Sequence, residues 1–343
     1  MNNISTLVRP SIAALKGYSS ARDEFDGLEG IFLDANENPF GNLNRYPDPY
    51  QRQLKKQVSQ WKNVSEANLF IGNGSDEIID ITFRVFCEPQ KDKALILTPT
   101  YGMYEVSAAI NNVALVKVPL TDHFDIDLAA TKKALENTDI KLLILCSPNN
   151  PTGNLLDRNA MKHLITGFNG IVLIDEAYID FSTEDSFNQW LTSCPNIIVM
   201  QTLSKAYGLA SARVGIGYAS EEIIGYFNKV KPPYNVSGLN QAAALATLKA
   251  NDVYESQKEM IISEREKLKV ALNKNALVLK QYPSVTNFIL AEVTDADALY
   301  NALTAQKIIV RNRSKQINNC LRFSVGTPEE NEQLINALHT LSI

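Results

Sequence analysis

Leu142-Leu143-Ile144-Leu145-Cys146-Ser147-Pro148-Asn149-Asn150-Pro151-Thr152-Gly153 sets an unbroken apolar run directly before a polar, proline-containing turn. The apolar residues do not alternate with polar ones, so both faces of the strand they form must be covered, as at the centre of a parallel sheet. Ile171-Val172-Leu173-Ile174, followed by Asp175-Glu176-Ala177-Tyr178, repeats the pattern. Further apolar runs lie at Leu69–Ile71, Ala94–Thr98, Ala114–Val118, Ile197–Gln201 and Val214–Ala219. Amphipathic stretches separate them: Asp76–Phe86, Tyr104–Asn111, Leu128–Asn137, Asp157–Phe168 and Glu221–Val230. The alternation predicts an α/β fold with a mostly parallel central sheet flanked by helices.

After Pro232-Pro233 the pattern changes to one long helical stretch over roughly Leu239–Asn273, with Glu264-Arg265-Glu266-Lys267 as a solvated face. Strand Asn287–Val293, helix Ala296–Gln306, strands Ile308–Val310 and Leu321–Val325, and helix Glu329–Leu341 then predict a smaller α+β domain. The expected division is an amino-terminal arm over 1–35, a large domain over 36–245 and a small domain over 246–343.

Composition narrows the function classes. With 45% hydrophobic and 21% charged residues, and only 16 Gly and 14 Pro among 343, the chain is neither disordered nor low-complexity. Its 33 basic and 38 acidic side chains leave a net charge of -5, so no overall positive field draws it to nucleic acid or an anionic membrane. Anionic small molecules must therefore be caught by local arginines. Cys87, Cys146, Cys194 and Cys320 form no C-x-x-C motif and are expected to be reduced and mostly buried. The three histidines, His123, His163 and His339, share no metal-ligand spacing, and no metal is expected. No apolar run approaches the ~20 residues that cross a bilayer, and Met1 to Lys16 lacks a signal-like stretch, so a cytoplasmic protein is expected.

In open parallel sheets ligands sit beyond the carboxyl ends of the strands. Ile71-Gly72-Asn73-Gly74-Ser75-Asp76 is a strand, a glycine turn and a helix start, which aims backbone N–H groups at an anion; Ser75 taken alone could equally cap the helix. Asp175, at the end of a dry strand, needs a cationic partner such as a protonated heteroaromatic nitrogen, or else caps the next helix. Lys205, in Thr202-Leu203-Ser204-Lys205, is set among groups that could lower its pKa and make it nucleophilic, though most lysines are solvated. Arg213 precedes Val214-Gly215-Ile216-Gly217, where glycines allow a close approach and an arginine fork can grip a phosphate.

Taken together, Ser147–Gly153, Asp175-x-x-Tyr178 and Ser204-Lys205 with Arg213 eight residues on resemble the fold-type I pyridoxal-phosphate aminotransferases. Val8-Arg9-Pro10, Gly17–Arg22, Leu33–Pro39, Asn44–Pro47, Thr202–Ala210 and Cys320–Thr327 narrow the likeness to the histidinol-phosphate aminotransferases over nearly the whole chain.

The resemblance implies pyridoxal 5'-phosphate as cofactor, with Lys205 bonding it covalently and shuttling the proton between substrate Cα and cofactor C4′. Asp175 would pair with the pyridinium nitrogen, and Asn150 and Tyr178 with the 3′ oxygen. Arg213, Ser204, Thr202 and the amides of Ser75 and Asp76 would bind the phosphate, the Asp76 carboxylate turning away. Tyr101 would stack on the ring, and Tyr46 would reach the cofactor phosphate of a neighbouring subunit, implying a homodimer with shared sites. Arg322 would be the anion fork common to L-histidinol phosphate and 2-oxoglutarate or glutamate, helped by Arg311 and Tyr18, with Asn36 lining the same pocket; Arg313 is read as surface. Arg311 could instead be an exposed structural residue.

The implied reaction converts L-histidinol phosphate and 2-oxoglutarate to imidazole acetol phosphate and L-glutamate. An aromatic aminotransferase or a threonine-phosphate decarboxylase-like enzyme is the alternative. A cofactor-binding transcriptional regulator would need a DNA-binding module, and no basic helix-turn-helix pattern precedes Leu33.

Overall fold

The computed structural model describes residues 3–18 and 30–341. Seven strands form the larger sheet: β1 Leu69–Asn73, β2 Lys93–Thr98, β3 Ala114–Pro119, β4 Ile140–Cys146, β5 Ile171–Asp175, β6 Ile197–Thr202 and β7 Val214–Ala219. Their order is β1-β7-β6-β5-β4-β2-β3, and β7 alone runs against its neighbours.

Alternate strand residues feed two separate cores. Leu95, Leu143, Leu145, Val172, Ile174 and Val199 belong to one apolar cluster, whereas Ile96, Leu142, Ile144, Leu173, Ile198 and Met200 belong to another on the opposite face. Successive side chains of a strand point to opposite faces, so the non-alternating runs at 142–145 and 171–174 are fully buried from both sides.

Most of the helices start on a side-chain cap. Asp127, Asp157, Ser220, Ser237 and Asp295 each accept from a backbone N–H of the first turn, and Thr327 with Glu330 forms a capping box. Helix Ser75–Phe86 differs: Gly74 occupies its cap position at φ +76 and offers no side chain, so the first N–H groups are left for another acceptor. Ser75 is thus the first helical residue and not the cap.

The carboxyl-terminal unit has its own core, from Leu268 to Leu338, around β8 Val278–Gln281, β9 Phe288–Val293, β10 Arg311–Asn312 and β11 Cys320–Ser324, ordered β10-β11-β9-β8 and antiparallel throughout. Three expectations here need correction. The strand expected at Ile308–Val310 lies instead at Arg311–Asn312, where it pairs with Arg322 and Leu321. The stretch at 239–273 is not one helix but two, Gly238–Lys249 and Asn251–Asn273, because Ala250 turns at ψ 50 and Asn251-Asp252 suits a helix start.

Nor is Glu264–Lys267 a solvated face throughout: Glu266 and Lys267 are exposed, but the first two residues are not. Glu264 and Arg265 are only 5% and 7% exposed: Glu264 accepts from Asn331 Nδ2 and Lys267 Nζ, while Arg265 donates to the Thr286 carbonyl. Each of these two buried charges is thus partnered.

Among the described residues no helix is long and apolar enough to cross a membrane. All four cysteines are buried free thiols.

Candidate active site

The carboxyl ends of β4, β5 and β6, the β1 turn and the β10–β11 edge converge on a cavity of about 340 Å³. A larger surface groove, about 460 Å³, lies at the amino ends of β4 and β5, between Leu135, His163 and Phe168, away from these groups. The convergence of charge, rather than size, marks the site.

One end of the cavity is built for an anion. The Gly74 N–H donates to the Arg213 carbonyl at 2.8 Å, Arg213 being held in the left-handed region at φ +51. This docks the start of β7 on the helix start: a Cβ at Gly215 would fall 2.4 Å from Ser75 N, and one at Gly74 would fall 2.6 Å from Arg213 Nη2. The glycine-containing strand therefore permits the backbone approach expected of it.

The Ser204 amide donates to Thr202 Oγ1 at 3.1 Å, while the buried Ser204 hydroxyl has no partner. The Asp76 carboxylate does not turn away. It accepts from Arg213 Nη2 and from the Tyr101 hydroxyl, each at 3.2 Å, because a guanidinium beside it is the nearest counter-charge.

At the floor, Asp175 is 3% exposed. Its Oδ1 accepts from the Ala177 amide at 2.9 Å and its Oδ2 from the Tyr104 hydroxyl at 2.5 Å. Burial pushes the carboxyl up to about 6, against these two hydrogen bonds, which favour the ionised form. Tyr101 packs edge-on to Tyr104, with ring centroids 5.6 Å apart.

Asn149 and Asn150, adjacent in sequence, divide their tasks. Asn149 is structural, donating to the Pro99 carbonyl and Thr152 Oγ1 and accepting from Thr100. Asn150 faces the cavity, donating to the Tyr178 hydroxyl at 3.3 Å and accepting from Arg322 Nη1 at 2.6 Å.

Lys205 faces the same space, its Nζ 5.9 Å from the Tyr178 ring centre. Burial, and after it the Arg322 charge, lowers its pKa, which favours a neutral, nucleophilic amine. Burial likewise pushes the Tyr178 hydroxyl up.

Arg322 on β11 lies directly opposite Arg311 on β10, and Arg313, two residues on, lines the cavity as well. Arg313 is therefore not the surface residue expected. A strand places i and i+2 on one face, so Arg311 and Arg313 point the same way while Asn312 turns back to Asp297.

Tyr18, Asn36 and Tyr46 are not brought to this cavity. Tyr18 is 73% exposed. Asn36 and Tyr46 line a different groove, where Tyr46 stacks on Tyr234 with centroids 4.4 Å apart and Glu37 binds Arg45 and the Tyr46 amide. These local bonds fold the segment on itself. Of the motif Gly17–Arg22, residues 19–22 lie outside the described residues.

Sequence reasoning overlooked Tyr104, whose i, i+3 spacing from Tyr101 at a helix start was the available signal. The Arg311-x-Arg313 alternation would likewise have found Arg313.

Comparison with known proteins agrees with this geometry. The family profile "Aminotransferase class I and II" matches residues 25–338. A histidinol-phosphate aminotransferase from Parabacteroides distasonis is 48% identical, covering 100% of both chains, and one from Bacteroides fragilis is 49% identical, covering 98% of this chain and 99% of its own. The crystal structure of histidinol-phosphate aminotransferase from Sinorhizobium meliloti in complex with pyridoxal-5'-phosphate superposes with a TM-score of 0.80 at 25% identity, covering 90% of each chain. With that fold, that cavity and full-length identity near one half, the chain belongs to the aminotransferase class I and II family, among its histidinol-phosphate aminotransferases.

Proposed function

We infer that the protein transfers the amino group of L-histidinol phosphate to 2-oxoglutarate, giving imidazole acetol phosphate and L-glutamate, a step of histidine biosynthesis. The observation that carries this is a single cavity lined by a lysine of lowered pKa, a buried carboxylate and two separate arginine-bearing anion sites, Arg213 at one end and Arg311 with Arg322 at the other. An amino donor with a phosphate end and a phosphorylated cofactor together call for two such sites.

The residues fit pyridoxal 5'-phosphate. Uncapped N–H groups at Ser75 and Asp76, the partnerless Ser204 hydroxyl, Thr202 and Arg213 suit its phosphate, and Asp175 suits a ring nitrogen that is protonated. Bound there, the cofactor supplies an electron-accepting ring that spreads the charge left when Cα loses its proton. Asp175 holds the proton on that nitrogen. Asn150 and Tyr178 orient the ring through its 3′ oxygen, and Tyr101 covers one face.

Lys205 Nζ would anchor the cofactor covalently, and its amine would serve as the base that shuttles the substrate Cα proton. Burial and the neighbouring Arg322 charge lower its pKa, which shifts the amine toward the form that can accept a proton. Arg322, with Arg311, grips the phosphate of one substrate and the carboxylate of the other in turn, as a ping-pong exchange requires.

The same reading makes the enzyme a cytoplasmic homodimer. Tyr46, remote from its own cavity, would serve the neighbour's, and Tyr18 and Asn36 would join a substrate site only in that assembly. It divides the chain into an arm (1–35), a large domain (36–245) and a small one (246–343).

The test compares amino donors by kcat/KM. Histidinol phosphate should exceed phenylalanine by far, and the visible absorption of the cofactor-loaded protein should vanish in Lys205→Ala. Equal values for the two donors, or a colourless wild type after cofactor addition, would overturn the assignment.

A further inference from the structure

Three guanidinium groups share one face of the β10–β11 edge. Arg311 and Arg322 are cross-strand partners, and the Arg313 amide continues the ladder by donating to the Cys320 carbonyl at 2.9 Å. Like charges this close repel, and no carboxylate among the described residues lies within ion-pair distance of any of the three. Both Arg313 Nε and Arg322 Nε are buried without a hydrogen-bond partner. Arg322 spends one donor on Asn150, whereas Arg313 makes one side-chain hydrogen bond, from Nη1 to Gln316 Oε1 at a long 3.3 Å. Burial and the neighbouring Arg322 and Arg311 lower the Arg313 pKa to about 10, which still leaves it charged at neutral pH. Arg311 stays exposed, but Arg313 and Arg322 are partly buried with unpartnered Nε groups and no carboxylate to compensate them, an arrangement that an anion would complete.

The two substrates differ at this anion position. A phosphomonoester carries close to two negative charges at pH 7 and three acceptor oxygens, whereas a carboxylate carries one charge and two oxygens. One arginine fork satisfies a carboxylate. With Arg322 and Arg311 already serving either anion, a further guanidinium with donors to spare gains most from the phosphate.

Resting on the function proposed above, we propose that Arg313 is a specificity-determining residue: its guanidinium adds the charge and donors that make this pocket prefer a phosphomonoester to a carboxylate.

The experiment uses the cofactor-loaded enzyme and Arg313→Gln, following each half-reaction by the visible absorbance. The kcat/KM for histidinol phosphate should fall, mainly through KM, by at least ten times the factor lost with glutamate, and Arg313→Lys should recover part of that gap. Independently of turnover, calorimetric titration with inorganic phosphate should show weaker binding in Arg313→Gln by tenfold or more, with acetate affected less. Should Arg313→Gln not fold, Gln316→Ala, which frees the guanidinium, must still shift phosphate affinity. Equal losses on both donors, or unchanged phosphate binding, would overturn the role of Arg313. A wild type that turns over glutamate but not histidinol phosphate would overturn the function itself instead.

Discussion

The Tyr104 hydroxyl donates to Asp175 Oδ2 across 2.5 Å in a part of the protein where both side chains are buried. That bond favours the ionised carboxylate against the desolvation that raises its pKa. In Tyr104→Phe only the Ala177 amide remains, so the pKa of Asp175 should climb further. Because the role proposed for Asp175 requires its ionised form, the acid limb of the kcat/KM profile should move to higher pH, and a limb left in place would rule the coupling out.

Asp175 also makes the cofactor-free protein sensitive to pH. Its folded pKa, about 6, lies above the ~3.9 of an unfolded aspartate, so the folded state binds the proton more tightly. The stability it lends is fully present below pH ~3.9 and is lost as pH rises through about 6, by roughly 2–3 kcal/mol. Denaturant melts of the apoprotein between pH 4 and 7 should show this fall, and Asp175→Asn should flatten it while abolishing activity. The same slope in both proteins would refute the assignment.

Gly215→Ala should damage the cofactor site without touching any cofactor-facing side chain. The added Cβ would lie 2.4 Å from Ser75 N and 2.5 Å from the Gly74 carbonyl carbon, backbone atoms that can yield only if β7 and the helix start separate. A loss of about 1–3 kcal/mol in stability is expected, and with it a weakened affinity for pyridoxal phosphate, read by equilibrium dialysis. Unaltered affinity would show that the cradle tolerates separation.

Arg322→Lys keeps the charge but not the fork that holds Asn150 at 2.6 Å. Both donors should lose kcat/KM, by ~10²-fold or more if one charge-assisted pair is worth ~3 kcal/mol. Steady-state kinetics with histidinol phosphate and with glutamate separate this common loss from the selective loss expected at position 313.

Mixing Tyr46→Ala with Lys205→Ala tests the shared site. If each Tyr46 serves its neighbour, a hybrid dimer holds one intact site, and random exchange of equal amounts restores roughly a quarter of wild-type activity. No recovery after exchange, verified by mass spectrometry of the mixed dimers, would confine Tyr46 to its own chain.

The strands and the cavity floor were legible because buried runs such as 142–145 and 171–174 admit few alternatives, and the polar residue after each run had to reach the strand ends. The reversal of β7 was not, since Val214–Ala219 reads the same in either direction. Arg313 was missed for want of a register: its face became known only when Arg311 was paired with Arg322. Tyr104 meets Asp175 across 71 residues, a contact that no local pattern encodes. Tyr18 and Asn36 were placed by likeness alone, and their surroundings follow from how the chain packs, which spacing does not specify.

Because β7 runs backward, the chain needs no crossover after β6, and the connection from Thr202 to Val214 stays at one rim of the sheet. Thr202, Ser204, Lys205 and Arg213 therefore travel together in a short excursion whose closure costs little entropy. The guanidinium face of Arg311, Arg313 and Arg322 rides on a different sheet, far later in the chain. The residues proposed for the chemistry and those proposed for the substrate anion thus lie on separate stretches of the polypeptide, joined where Arg322 holds Asn150.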